Sequence, residues 1–395
     1  MNDFNASDVP VLLDGVRTPY GRYLKSMRSL SARQLGAHAV AALVERLPRM
    51  ADCDGALLAQ VVQGGLGQNP ARQASVDGGL SMRVPALTLN NVCLGGMSAL
   101  ADASRRIRLG EGRTYLVGGM DSMSRAPHAG LLRDGSSMTA VGFVDTLSTD
   151  GLWCSLDDES MGVLSDRVNQ DLGIGREVQD EIALRSHQRA RAARDSGVLA
   201  EEIAPVTVGT LVIEHDEGIR DDTSLESLAR LRPVFDKNGT VTAGNASQMS
   251  DGASVGAIVA RSVAEEWGVE PLAIVRGYAE VAGPDASLHL KPAAAIEEVL
   301  RRAGVRLSDV SVIEINEAFA SVVEASRRAL SLPLDVLNVN GGAIALGHPL
   351  GGTGFRLVLT AAHELRRRGG RYAVASMCGG GGQGAAVLIE NVNAR

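Results

Sequence analysis

The chain has 395 residues, 45% hydrophobic and 22% charged, long enough for two or three packed units and unlike a disordered polymer. Lys and Arg number 39 against 46 Asp and Glu, a formal charge of −7, which argues against a nucleic-acid surface or a polybasic membrane anchor. Aromatic residues make up only 3% while glycine reaches 46 residues, so base-stacking platforms are unexpected and close backbone approach to a ligand is expected.

The opening MNDFNASDVP has neither the basic region nor the apolar run of a secretory signal. No apolar run reaches the ~18 residues of a membrane span. Four cysteines, Cys53, Cys93, Cys154 and Cys378, lie far apart without a C-x-x-C pair, which excludes a disulfide framework or zinc site by spacing. No metal and a reduced cytoplasmic setting are expected.

Along the chain, 9–13 reads as a buried strand ending at Asp14-Gly15, 31–47 as a helix and 56–62 as a strand. Segment 99–109 has helical spacing, with Leu100, Ala103 and Ile107 on one face, and 113–117 is another strand. The stretch from about 121 to 244 is polar and charged, with one clear helix near 178–194 and weak sheet signals; a long excursion of this kind carries function more often than packing. The grammar then returns. Residues 273–277 could open a second half as 9–15 open the first, 334–339 is strand-like, 353–368 helical and 371–375 a strand. GRTYLVGGM (112–120) aligns with GGRYAVASM (369–377). Strands alternating with helices imply parallel sheets with helices on their faces, here in duplicated halves: 1–272, carrying an inserted subdomain at about 121–247, and 273–395.

Four places carry chemistry. Cys93, in LTLNNVCLGGMSAL, stands where a strand gives way to glycines and a helix; a helix dipole there would stabilise thiolate, although a small buried thiol is the commonest fate of a free cysteine. His348, in NVNGGAIALGHPLGGTG, sits on a loop that Pro349 and the glycines keep from being a regular helix, unlike His187 and His363, which are expected to cap helices or face solvent. That glycine run lacks the G-K-[ST] ending of a phosphate loop. Cys378 opens CGGGGQGAAVLIE, bare N–H groups suited to an oxyanion hole; the other reading is a plain turn between core strands. Asn316-Glu317 follow the apolar run VIEI, at the strand end where α/β sheets place ligands, where Asn316 could equally be a helix cap.

Taken in order, VRTPYGR, NNVCLGGMSAL, GGMDSMSRAP, RPVFDKNGTVTAGNAS, NEAFA, GGAIALGHPLGGTG and CGGGGQGAAVLIE resemble the thiolases, acyl-CoA acyltransferases of the acetyl-CoA acetyltransferase type, over nearly the whole chain. The resemblance implies an α/β fold of duplicated halves with layered sheets and helices plus the inserted loop subdomain. It implies that Cys93 takes an acyl group as a thioester, His348 accepts its proton, Cys378 is the second acid/base, Asn316 holds a water that helps stabilise an enolate, and the N–H groups of Cys93 and Gly380 bind the thioester oxygen. It further implies that Arg220, Ala243 and Ser247 touch coenzyme A, with Arg220 equally readable as a surface residue beside Asp221 and Asp222. No cofactor beyond CoA thioesters, a homodimer or homotetramer, and reversible condensation of two acetyl-CoA to acetoacetyl-CoA are what the family carries.

This sequence departs from many relatives at Gly95, where serine is common, at Ser160, where short-chain synthetic members have histidine, and at Gln248-Met249-Ser250, where a small residue and an asparagine are usual. All are expected to line the acyl or pantetheine pocket. The alternatives are a longer-chain degradative 3-ketoacyl-CoA thiolase and a non-catalytic acyl-CoA or lipid-binding relative. A decarboxylating ketoacyl synthase or hydroxymethylglutaryl-CoA synthase would replace the second thiol, and Cys378 argues against both.

Overall fold

The computed structural model describes residues 9–133 and 142–394. Nine strands follow one hydrogen-bonded path: β1 (Pro10–Arg17), β2 (Gly55–Ala59), β3 (Ala86–Leu89), β4 (Thr114–Ser122), β5 (Ser250–Ala260), β6 (Ala273–Ala282), β7 (Val310–Ile315), β8 (Tyr372–Gly379) and β9 (Gln383–Glu390). Their spatial order is β7-β8-β9-β6-β1-β5-β4-β2-β3. β5 is buried at all 11 positions, as its unbroken run of small and apolar residues demands of a strand covered on both faces.

Outward from the β1–β6 seam the two sides read alike. β1 pairs antiparallel with β5, β5 antiparallel with β4, and β4 parallel with β2; β6 pairs antiparallel with β9, β9 antiparallel with β8, and β8 parallel with β7. Thus 112–120 and 369–377 include equivalent strands, β4 and β8. The expectation of parallel sheets needs correction, because most neighbours are antiparallel. A turn of three residues between β8 and β9 allows no other arrangement.

Helices Gly95–Leu109 and Leu350–Arg368 lie side by side between the two wings of the sheet, while Ala32–Arg46 and Lys291–Ala303 cover the outer faces. Ser31 caps Ala32–Arg46, its side chain accepting from Gln34 N while the Gln34 side chain returns to the Ser31 backbone. The two central helices touch backbone to backbone: a Cβ on Gly96 would stand 2.7 Å from Phe355 N, and one on Gly354 2.8 Å from Met97 N. The glycines after His348 therefore serve helix packing.

Strand limits differ from the sequence reading: 56–62 ends at Ala59, while 113–117, 273–277 and 371–375 extend to Ser122, Ala282 and Gly379. β1 runs through Asp14-Gly15 to Arg17, with a register shift between Leu12 and Asp14. Residues 334–339 form no strand; Leu337 makes one bridge to Ile313. In place of a ladder, the side chain of Asn338 accepts from Ile315 N and donates to Ile315 O, both at 2.8 Å, so a side-chain amide satisfies the edge of β7. In the 121–247 region, part of which lies outside the described residues, helices Met161–Asp171 and Arg176–Asp195 alternate with short two-stranded ribbons.

Candidate active site

After β3 the chain turns sharply through Asn90–Val92. Val92 has φ +48°, a left-handed conformation costly for a β-branched residue, and its N–H is held by Asn90 Oδ1 at 3.0 Å. The next residue, Cys93, is half-buried and lines a cavity of about 980 Å³. Strain at such a turn exposes a side chain that a regular helix start would bury.

From the other wing, β8 ends at Cys378-Gly379, which line the same cavity. A Cβ on Gly379 would meet Leu94 Cγ at 2.7 Å, and one on Gly380 would meet Val92 Cγ1 at 3.4 Å. Glycine is thus needed at 379, where the two turns press together, while 380 has ordinary contact distance. The loop is a hairpin turn, with Cys378 opposite Gly384, and it abuts the Cys93 turn. The N–H groups of Cys93 and Gly380 both act on the Cys93 sulfur.

His348 reaches the cavity between them. Gly347, at φ +115°, turns the chain out of the short helix Ala343–Leu346 and into the histidine. Its Nδ1 lies 2.7 Å from Thr353 Oγ1 and its Nε2 3.4 Å from Asn316 Nδ2. Asn316 does not line the cavity and caps no helix; it is fully buried, its Oδ1 has no protein partner among the described residues, and its N–H extends the β7–β8 ladder to Ser376 O at 3.0 Å. Glu317 turns away and accepts from Ser186 Oγ, Asn338 Nδ2 and Ile344 N.

Electrostatics correct one expectation. Burial, and then the nearby charge of Asp121, push the Cys93 thiol up to about 12, against the opposing pull of the two N–H groups. Burial and the Cys93 charge raise Cys378 as well. Burial, with the Arg356 guanidinium second, pushes His348 down to about 3. A helix dipole does not outweigh desolvation here. The resting site is thiol, thiol and neutral imidazole.

Arg220, Ala243 and Ser247 all line the cavity, as do Ser160, Gln248 and Met249. Arg220 makes no ion pair among the described residues; Asp221 pairs with Arg194 instead. Gly95 and Ser250 lie off the cavity. A Cβ on Gly95 would meet Ala59 Cβ at 2.6 Å, so this position answers to strand–helix packing. Ser160 caps helix Met161–Asp171 by accepting from Val163 N. His187, expected at a cap or in solvent, is buried within Arg176–Asp195 and accepts from Arg220 N at 3.2 Å; burial holds it near 4. His363 is likewise inside a helix, 3.5 Å from Glu201.

Three residues at this site lie within the quoted motifs but are not singled out by the sequence alone. Asp121 is fully buried and accepts from the N–H groups of Val61, Val62 and Gly351, the last at 2.7 Å; burial raises it to about 7. Arg22 lines the cavity without a side-chain partner among the described residues. Thr353 orients the imidazole. The partners of Asp121 are far away in sequence, and only the fold reveals them. Among the described residues no group of three or more His, Cys, Asp or Glu is placed to hold a metal, and no helix is long and apolar enough to cross a membrane.

Comparison with known proteins follows this geometry. Residues 10–262 match the family described as thiolase, N-terminal domain, and 269–391 that described as thiolase, C-terminal domain. The chain is 44% identical over 389 residues to a probable acetyl-CoA acetyltransferase of Mycolicibacterium smegmatis, covering 96% of this chain and 100% of the relative. It is 40% identical over 390 residues to an acetyl-CoA acetyltransferase of Escherichia coli, covering 97% and 99%. The crystal structure of the Bacillus anthracis acetyl-CoA acetyltransferase superposes with a TM-score of 0.93 at 34% identity, covering 97% of this chain and 99% of that one. With two thiols and an imidazole converging from duplicated α/β halves, and both halves matched along nearly their full length, this chain belongs to the thiolase family.

Proposed function

We propose that this chain is an acetyl-CoA C-acetyltransferase, interconverting acetoacetyl-CoA plus CoA with two acetyl-CoA through an acyl group on Cys93. The observation that carries this reading is one cavity shared by Cys93, His348 and Cys378.

In thiolysis, Cys93 Sγ bonds to the 3-keto carbon while its proton passes to His348 Nε2. The oxyanion so formed is held by the N–H groups of Cys93 and Gly380, where one donor typically contributes ~3–4 kcal/mol. Collapse breaks the carbon–carbon bond and leaves acetyl on Cys93. The departing enolate takes the Cys378 proton, with His348 and a water held by Asn316 beside its oxygen. CoA then gives its thiol proton to Cys378 and attacks the acetyl carbon, and Cys93 leaves with the proton stored on His348. Covalent catalysis divides one hard step into two. Since both thiols rest protonated, proton transfer must accompany attack, a role suited to a neutral imidazole.

Arg220, Ala243 and Ser247 would meet CoA, with Arg22 a second cation for its phosphates. Each thiol sits in its own apolar wall: Leu147 and Leu350 pack with Cys93, and Leu288, Phe319 and Val322 with Cys378. Ser160, which lines the same cavity, is the place where a longer chain would gain room. The strand order running alike from β1 and β6 supports a division at 1–272, with an insert at about 121–247, and 273–395. A cytoplasmic homodimer or homotetramer that uses CoA thioesters alone completes the reading, supported by four free thiols.

The test is CoA-dependent loss of 3-ketoacyl-CoA across chain lengths. Acetoacetyl-CoA should give the highest kcat/KM. A maximum at longer chains would make the protein a degradative thiolase, and CoA-thioester binding without turnover would make it a binder.

A further inference from the structure

We propose that Gln248 is a positioning residue that locks the His348 turn and the Arg220 loop into one rigid unit. This inference concerns the site's mechanics, and one of its readouts does not depend on the reaction assigned above. The Gln248 amide Nε2 donates to Gly218 O at 3.0 Å and to Ile344 O at 2.9 Å, with Ala345 O at 3.5 Å. Ile344 and Ala345 lie at the end of the short helix Ala343–Leu346, where carbonyls lack intrahelical partners, and that end leads through Gly347 into His348. The Gln248 carbonyl in turn accepts from His348 N at 3.1 Å and from Ser250 Oγ at 2.7 Å, while the same hydroxyl oxygen accepts from His348 N at 3.1 Å. One residue therefore caps the helix before the histidine and holds the histidine's own backbone.

Its third attachment reaches the loop that carries Arg220. Gly218 approaches so closely that a Cβ would stand 2.3 Å from Ala345 O and 2.7 Å from Gln248 Nε2; two residues on, Arg220 N is fixed by His187 Nδ1. Arg220 and Gln248 both line the cavity. A shift of the ligand-binding loop is thus transmitted through the amide to the histidine that faces Cys93. Neither a shorter nor a purely apolar side chain at 248 spans the three carbonyls.

Two variants test this. Gln248→Met keeps the length and removes the donors. Gln248→Glu keeps the shape but faces carbonyl oxygens with a carboxylate, whose pKa they raise, and it keeps the test open should the methionine variant not fold. With active sites counted by iodoacetamide incorporation at Cys93, kcat per site should fall about tenfold in both, as misplacement of a reacting group requires. The Kd for CoA, read by calorimetry, should rise at least about threefold. The Gln248→Glu deficit should shrink as pH falls from about 8 to about 6, because a protonated carboxyl regains one donor, while the Gln248→Met deficit stays flat. Calorimetry reads the bracing even if the wild type fails to cleave acetoacetyl-CoA, so the two failures are distinct. Unchanged kcat per site and unchanged CoA affinity, or a loss confined to the number of titratable sites, would overturn the proposal.

Discussion

His348 Nδ1 lies 2.7 Å from the Thr353 hydroxyl oxygen, and that hydroxyl gives its own proton to Pro349 O at 2.8 Å. The threonine oxygen can then only accept, so the ring proton sits on Nδ1 and Nε2 presents a lone pair toward Asn316, in the cavity that Cys93 also lines. Thr353→Val should lower kcat about 10- to 100-fold, the cost of an unpartnered buried N–H and a wrong tautomer, with KM for CoA little changed. Thr353→Ser should keep most activity. Steady-state kinetics of the two variants check this, and equal losses would remove the role.

The charge states give a pH dependence whose sign is fixed. With Cys93 pushed up to about 12 and His348 down to about 3, the free enzyme holds a neutral pair throughout the neutral range. The thiolate fraction then grows about tenfold per pH unit below the thiol pKa. Iodoacetamide alkylation of the Cys93 peptide, followed by mass spectrometry without substrate, should climb steadily from about pH 7 to about 9 with no plateau. A plateau near neutrality would signal a preformed thiolate.

Asp121 should separate stability from reactivity. Its carboxylate accepts three backbone N–H groups that join the end of β2 to the start of the His348 helix. An amide in its place cannot accept all three, so Asp121→Asn should lose about 1–3 kcal/mol of stability in urea unfolding. Asp121 also raises the Cys93 pKa, so the same variant should shift the alkylation profile to lower pH. A less stable protein with a more acidic thiol is the expected pair of results; a shift to higher pH would contradict it.

The two sulfurs should fail differently. Cys378→Ala should abolish carbon–carbon cleavage far more than it slows acetyl-CoA/CoA exchange, by at least about tenfold between the two losses, because a CoA thiolate leaves unaided more readily than an enolate. Isotope exchange measured beside acetoacetyl-CoA cleavage reads the difference. Equal losses would mean that Cys378 acts in both steps alike.

Much of this site is legible in the sequence because its chemistry is punctuated by glycine. Cys93, His348 and Cys378 each stand next to glycines where strand and helix patterns break, and those breaks are where the backbone must turn or crowd. The thiol's acidity was not legible: a strand-to-helix position suggests a dipole, and only the folded surroundings show that burial outweighs it. Gly95 reads as a pocket-lining position but, like Gly351, Gly352 and Gly354, serves packing between strand and helix, or helix and helix, a distinction made by neighbours far away in sequence. Asp121 and Gly351 are 230 positions apart, and no local pattern joins them. The 334–339 stretch has strand composition and pairs its backbone with Ile313 through Val336 O and Asn338 N, yet at Ile315 the Asn338 side chain takes the hydrogen bonds a longer strand would make. Local periodicity cannot foresee that substitution.

Every turnover proposed above passes an acyl group through Cys93. Protein mixed with isotopically labelled acetyl-CoA, quenched in acid, digested and analysed by mass spectrometry should carry one labelled acetyl group, on the Cys93 peptide and absent from Cys93→Ala. Label confined to the Cys154 or Cys378 peptide, or no covalent label while acetoacetyl-CoA still forms, would contradict it.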